Sequence, residues 1–93
     1  MSDAKQKVLL VEDDPGLQKQ LKWSLGDYEL VTAAERDSAI AQLRRHEPAV
    51  VLLDLGLPPD ADGASEGLAA LQQILSLAPV TKVIVVTGNL DRS

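Results

Sequence analysis

The sequence predicts an α/β fold in which helices wind a parallel sheet on both faces, and three observations predict it. The runs "KVLLV" (7–11), "AVVLL" (49–53) and "KVIVV" (82–86) are short, apolar and free of polar alternation, as strands buried on both faces of a parallel sheet read. Between them the apolar spacing changes to the three-to-four period of helices. The two kinds of segment alternate along the chain as βαβαβαβ, which implies right-handed crossovers and helices on both faces.

The first run ends in "EDD", after which Pro15 suits a first helical turn and Asp14 its N-cap. Leu17, Leu21 and Leu25 then fall four apart until Gly26 stops the helix. Trp23 is off the leucine face, so partial packing is expected of it. The run "YELVTA" (28–33) is a weaker strand that suits a sheet edge. Residues 35–46 repeat the helical pattern through Ala39, Ile40 and Leu43, with Pro48 as the stop and His46 near the end, where a cation complements the helix dipole. Gly67 is expected to open a third helix, carrying Leu68, Leu71, Ile74 and Leu75 and closed before Pro79.

Composition removes several classes of function. At 93 residues and 45% hydrophobic content, the chain can bury one modest core, and a single domain over 1–93 is expected. There is no cysteine, so neither disulfides nor thiolates are available, and any metal must use oxygen ligands. The polar start and the shortness of the apolar runs predict a cytoplasmic protein without a membrane association. A formal charge of −5, nine scattered basic residues and two aromatics, Trp23 and Tyr28, argue against direct binding of nucleic acid.

Three of the four strands end on residues that can do chemistry: the first on Glu12 and Asp13, the third on Asp54 and the fourth on Thr87. Parallel strands put these ends on one rim, where open α/β sheets bind ligands. Carboxylates about 4 Å apart repel by about 4 kcal/mol at an effective dielectric near 20, so a cation belongs among them. Oxygen-only ligands suit Mg²⁺, which takes one or two carboxylates together with a phosphate oxygen. Phosphoryl transfer to a carboxylate nucleophile is the chemistry that follows, with the Thr87 hydroxyl donating to a phosphoryl oxygen.

In "VLLVEDDPGLQKQL", "VVLLDLGLP" and "VIVVTG", the chain resembles the receiver domain of two-component response regulators, over about residues 7–89. The resemblance implies a flavodoxin-like sheet of order 2-1-3-4. It makes Asp54 the phosphoacceptor, Asp13 a direct Mg²⁺ ligand, Glu12 a ligand through water and Gly56 a ligand through its main-chain carbonyl. Pro58 would shape the turn, and Thr87 would be the switch hydroxyl. The implied role is that of a signalling domain rather than an enzyme, with a sensor histidine kinase as the phosphoryl donor.

Two departures from the family pattern stand out. The loop "PPDADGASEG" is longer than the family's usual connection and can align its acid-glycine step with Asp62-Gly63 or Glu66-Gly67, the second being favoured because "EGLAAL" begins an apolar helix. "DGASEGL" resembles the receiver of σ54-type regulators associated with PEP-CTERM gene clusters, which implies ATPase and DNA-binding output domains in a parent protein. The chain also stops at "TGNLDRS", so an incomplete receiver is expected, without the last strand, its flanking helices and the lysine that pairs with the phosphoryl group. Impaired phosphorylation and self-association through the exposed fourth strand would follow. Two competitors are an inert dimerisation or interaction module derived from a receiver and an aspartyl-phosphate phosphohydrolase. The second is disfavoured by Gly56, which stands where such enzymes carry a second acid.

Overall fold

The structure, a computed structural model, describes residues 6–57 and 64–86. The elements run β1 (Lys7–Val11), α1 (Pro15–Ser24), β2 (Glu29–Ala33), α2 (Arg36–His46), β3 (Val50–Asp54), α3 (Ser65–Leu77) and β4 (Lys82–Val86). The four strands form one sheet of order β2-β1-β3-β4. Every pair is parallel, with Leu9 opposite Val31 and Val51, and Leu53 opposite Val85. This is the flavodoxin-like receiver arrangement the sequence predicts.

Alternation along the strands divides the sheet into two unlike faces. Leu9 and Val11 of β1, with Val51 and Leu53 of β3, pack with Ala39 and Leu43 of α2, Ala70 and Ile74 of α3, and Leu57. The crossovers β2-α2-β3 and β3-α3-β4 step the same way across the sheet and put α2 and α3 on this face. The β1-α1-β2 step runs the other way, so α1 covers the opposite face. There Val8 and Leu10 are buried, but no residue of α1 is. Its cap is as expected: the Asp14 carboxylate accepts from the Gly16 N–H at 2.8 Å and the Leu17 N–H at 3.4 Å.

Three local expectations need correction. β3 begins at Val50 and includes Asp54, so this carboxylate belongs to the ladder and its position is fixed by the strand. α3 starts at Ser65, two residues before Gly67, and its buried residues are Gly67, Ala70 and Ile74, whereas Leu68 and Leu75 are exposed. Ile74 is buried and Leu71 packs against the core as expected; the helix face turns toward Gly67 and Ala70 rather than Leu68 and Leu75 because small residues let the helix axis come close to the strand. Trp23 is 83% exposed, less covered than partial packing implies.

Candidate functional site

β1 and β3 are neighbours in register, so Glu12 and Asp54 reach the same rim from adjacent strands. Glu12 follows the last β1 residue and is held by its backbone N–H, which donates to the Ala33 carbonyl of β2 at 2.9 Å. The Gln18 side-chain amide, one turn into α1, donates to the Glu12 carbonyl. Asp54 is held differently: its Oδ1 accepts the Gly56 N–H at 3.0 Å, which closes a tight turn directly after the strand. Both acids are buried, with Glu12 4% and Asp54 8% exposed.

Glu12, Asp13 and Asp54 each bring a carboxylate oxygen to within 4.8 Å of the others. Asp13 keeps contact with solvent. The Glu12 carboxyl is pushed up to about 7, first by burial, then by its hydrogen bond to Asp54 and by the Asp54 charge, while the Asp14 N–H at 3.3 Å pulls weakly the other way. The Glu12 carboxyl thus keeps its proton up to near neutrality, beside the Asp54 carboxylate. A cation with oxygen ligands would replace that proton, and the donor set, carboxylates and no nitrogen or sulfur, suits a hard divalent ion. Among the described residues, no basic side chain makes an ion pair with any of the three acids.

The structure therefore brings together three of the residues singled out from the sequence, Glu12, Asp13 and Asp54, with Gly56 two residues beyond Asp54. Thr87 and Pro58, and the Asp62-Gly63 alternative, lie outside the described residues. Glu66-Gly67 lies within them, and Gly67 has a reason to be glycine: a Cβ there would overlap the Leu55 backbone at its Cα, C and O atoms. The start of α3 is thereby seated directly on the segment between Asp54 and Gly56. Sequence reasoning missed Gln18 and Arg36. Gln18 was signalled only by being a polar residue in the first turn, next to Leu17. Arg36 carried a plainer signal, a cation in the first turn of a helix, against the dipole.

The family model for the response regulator receiver domain matches residues 8–93. The transcriptional regulatory protein KdpE of Mycobacterium tuberculosis is 36% identical over 88 residues, which cover 92% of this chain and 36% of KdpE. Protein-glutamate methylesterase/protein-glutamine glutaminase 4 of Geobacter metallireducens is 35% identical over 89 residues, covering 91% of this chain and 24% of that protein. The chain thus spans roughly a quarter to a third of the length of these curated relatives. Among solved structures, the receiver domain of the PhyR response regulator of Erythrobacter litoralis superposes with a TM-score of 0.74 at 32% identity, covering 96% of this chain and 67% of that one. The BeF3-activated N-terminal receiver domain of Klebsiella pneumoniae RstA gives a TM-score of 0.75 at 26% identity, covering 95% and 71%. What this chain shares with transcriptional regulators and methylesterases alike is one module. With its sheet order and acidic rim, the chain belongs to the response regulator receiver domain family.

Proposed function

We propose that the chain is a phosphoacceptor of a two-component phosphorelay, with Asp54 as the nucleophile. The observation that carries this reading is the convergence of the Glu12, Asp13 and Asp54 carboxylates within 4.8 Å at the carboxyl end of the two central strands. The residues fit Mg²⁺: Asp13, Asp54 and the Gly56 main-chain carbonyl would hold it directly, and Glu12 through water. When bound, Mg²⁺ supplies positive charge that offsets the phosphoryl oxygens. An Asp54 carboxylate oxygen forms the bond to phosphorus as the P–N bond of a kinase phosphohistidine breaks, and the departing imidazole nitrogen keeps the electron pair and takes a proton. The Gly56 N–H on Asp54 Oδ1 fixes the rotation of the nucleophile. Thr87 would donate its hydroxyl to the phosphoryl group and so report the modification.

The matched relatives named as transcriptional regulators support an output of that kind, and the "DGASEGL" segment the finer placement with ATPase and DNA-binding output domains. One observation favours a second reading, a dimerisation or interaction module without chemistry: among the described residues β4 is an edge of the sheet, with Ile84 45% and Val85 43% exposed. Incubation with acetyl phosphate and Mg²⁺, followed by mass spectrometry, separates the two. The phosphoacceptor reading predicts one added phosphoryl group, removed by chelator and by Asp54→Asn. No labelling, together with self-association that Asp54→Asn leaves unchanged, favours the second reading.

A further inference from the structure

Arg36 stands in the first turn of α2, where the helix dipole disfavours a cation. Its position is compensated from another helix. The guanidinium Nε lies 2.9 Å from Glu66 Oε1, and Nη1 donates to Gln73 Oε1, also at 2.9 Å. Glu66 and Gln73 are seven residues apart on α3, two turns on one face, separated by about 10 Å along the axis. One planar group therefore holds α3 at two points, which fixes its rotation as well as its position; a lysine would offer a point charge without this fixed fork. The pair is partly shielded, with side chains 34% and 22% exposed.

Both ends of this clamp lead to the acidic rim. α2 begins three residues after Ala33, whose carbonyl accepts the Glu12 N–H. On the other side, Glu66 precedes Gly67, which is seated without room for a Cβ on the Leu55 backbone, between Asp54 and Gly56. We propose that Arg36 is a positioning residue: through Glu66, Gln73 and the Gly67–Leu55 contact it sets the Leu55–Gly56 backbone, and with it the Gly56 carbonyl offered to the cation. The inference rests on the proposed cation site.

The test compares Arg36→Gln, Glu66→Gln, the double variant and Arg36→Lys with the parent chain, at a temperature where circular dichroism shows each folded. Two readouts are taken: the Gly56 amide resonance in metal-free protein, and the Mg²⁺ Kd by titration. The clamp predicts a displaced Gly56 resonance and a Kd raised threefold or more in each single Gln variant. The double variant adds nothing further, and Arg36→Lys falls between. Gln73→Ala, which removes only the second grip, is the milder variant should Arg36→Gln not fold, and it predicts a smaller displacement of the same resonance. An unchanged Gly56 resonance and Kd in folded Arg36→Gln, or in Gln73→Ala if that alone folds, would overturn the proposal. A parent chain that binds no Mg²⁺ would instead refute the cation site, and the metal-free Gly56 resonance would still decide whether the clamp sets the loop.

Discussion

On the α2–α3 face of the sheet, Leu9, Val11, Val51, Leu53 and Ile74 are completely closed from solvent, and an ion pair ties the two helices. On the α1 face, the helix buries no residue fully, and Leu52 of the central strand β3 is only partly buried. The difference teaches which half of the molecule supports the chemistry. Asp54 follows Leu53, and Glu12 follows Val11. Each acid is thus the residue after a strand position locked into the closed face, so burying these charges rests on packing a few ångströms away.

Substitution in the two faces measures that contrast most strongly. Leu53→Ala leaves a cavity in the closed core and should cost about 2–5 kcal/mol by urea unfolding. Leu21→Ala on half-buried α1 should cost about 1 kcal/mol. Equal losses would break the comparison.

Next in size is the pH dependence of the metal-free protein. The Glu12 carboxyl is raised from 4.5 to about 7. The folded state therefore holds a proton that the unfolded chain releases, and stability present below about pH 4.5 is lost as pH rises through about 7. The loss attributable to Glu12 is up to about 3 kcal/mol. Glu12→Gln should flatten that part of the profile, and Mg²⁺ should reverse it; a slope unchanged in Glu12→Gln would place the titrating group elsewhere.

Gly67→Ala sets two effects against each other. Helix propensity favours alanine by about 1 kcal/mol, but the new Cβ overlaps backbone atoms of Leu55, which cannot rotate away. Overpacking of this kind costs about 1–3 kcal/mol, so the variant should be destabilised, with the amide signals of Leu55 and Gly56 shifted. A stabilised variant would show that α3 is not seated on the loop.

The smallest effect belongs to α1. Asp14→Ala removes the side-chain cap of Gly16 and Leu17 and should cost about 1 kcal/mol. A cost as large as that of Leu53→Ala would mean that α1 holds as much of the fold as the closed face does.

Strand positions, the Asp14 cap and the three acids were legible in the sequence because each is written locally: an apolar run followed by a carboxylate, or an aspartate before a proline. What was not legible depends on distance along the chain or on choosing between two neighbouring helix faces. Arg36 and Glu66 are thirty residues apart, and nothing in either neighbourhood names the other. On α3, Ile74 and Leu71 pack inward as the spacing predicts, but hydrophobicity alone would set Leu68 and Leu75 beside them rather than Gly67 and Ala70. Only the closeness of α3 to Leu55 selects the small residues. Trp23 was placed off the leucine face by its spacing, and the structure leaves it 83% exposed.

The central claim is that the Glu12–Asp13–Asp54 cluster is a cation site that holds a proton only while the cation is absent. Calorimetric titration with Mg²⁺ in buffers of different ionisation enthalpy tests it most directly. The account predicts a single Mg²⁺ bound, tighter as pH rises, releasing close to one proton per ion at about pH 6 and almost none at about pH 8, with binding abolished by Asp54→Asn. Binding without proton release at about pH 6, or binding that survives Asp54→Asn unchanged, would contradict it.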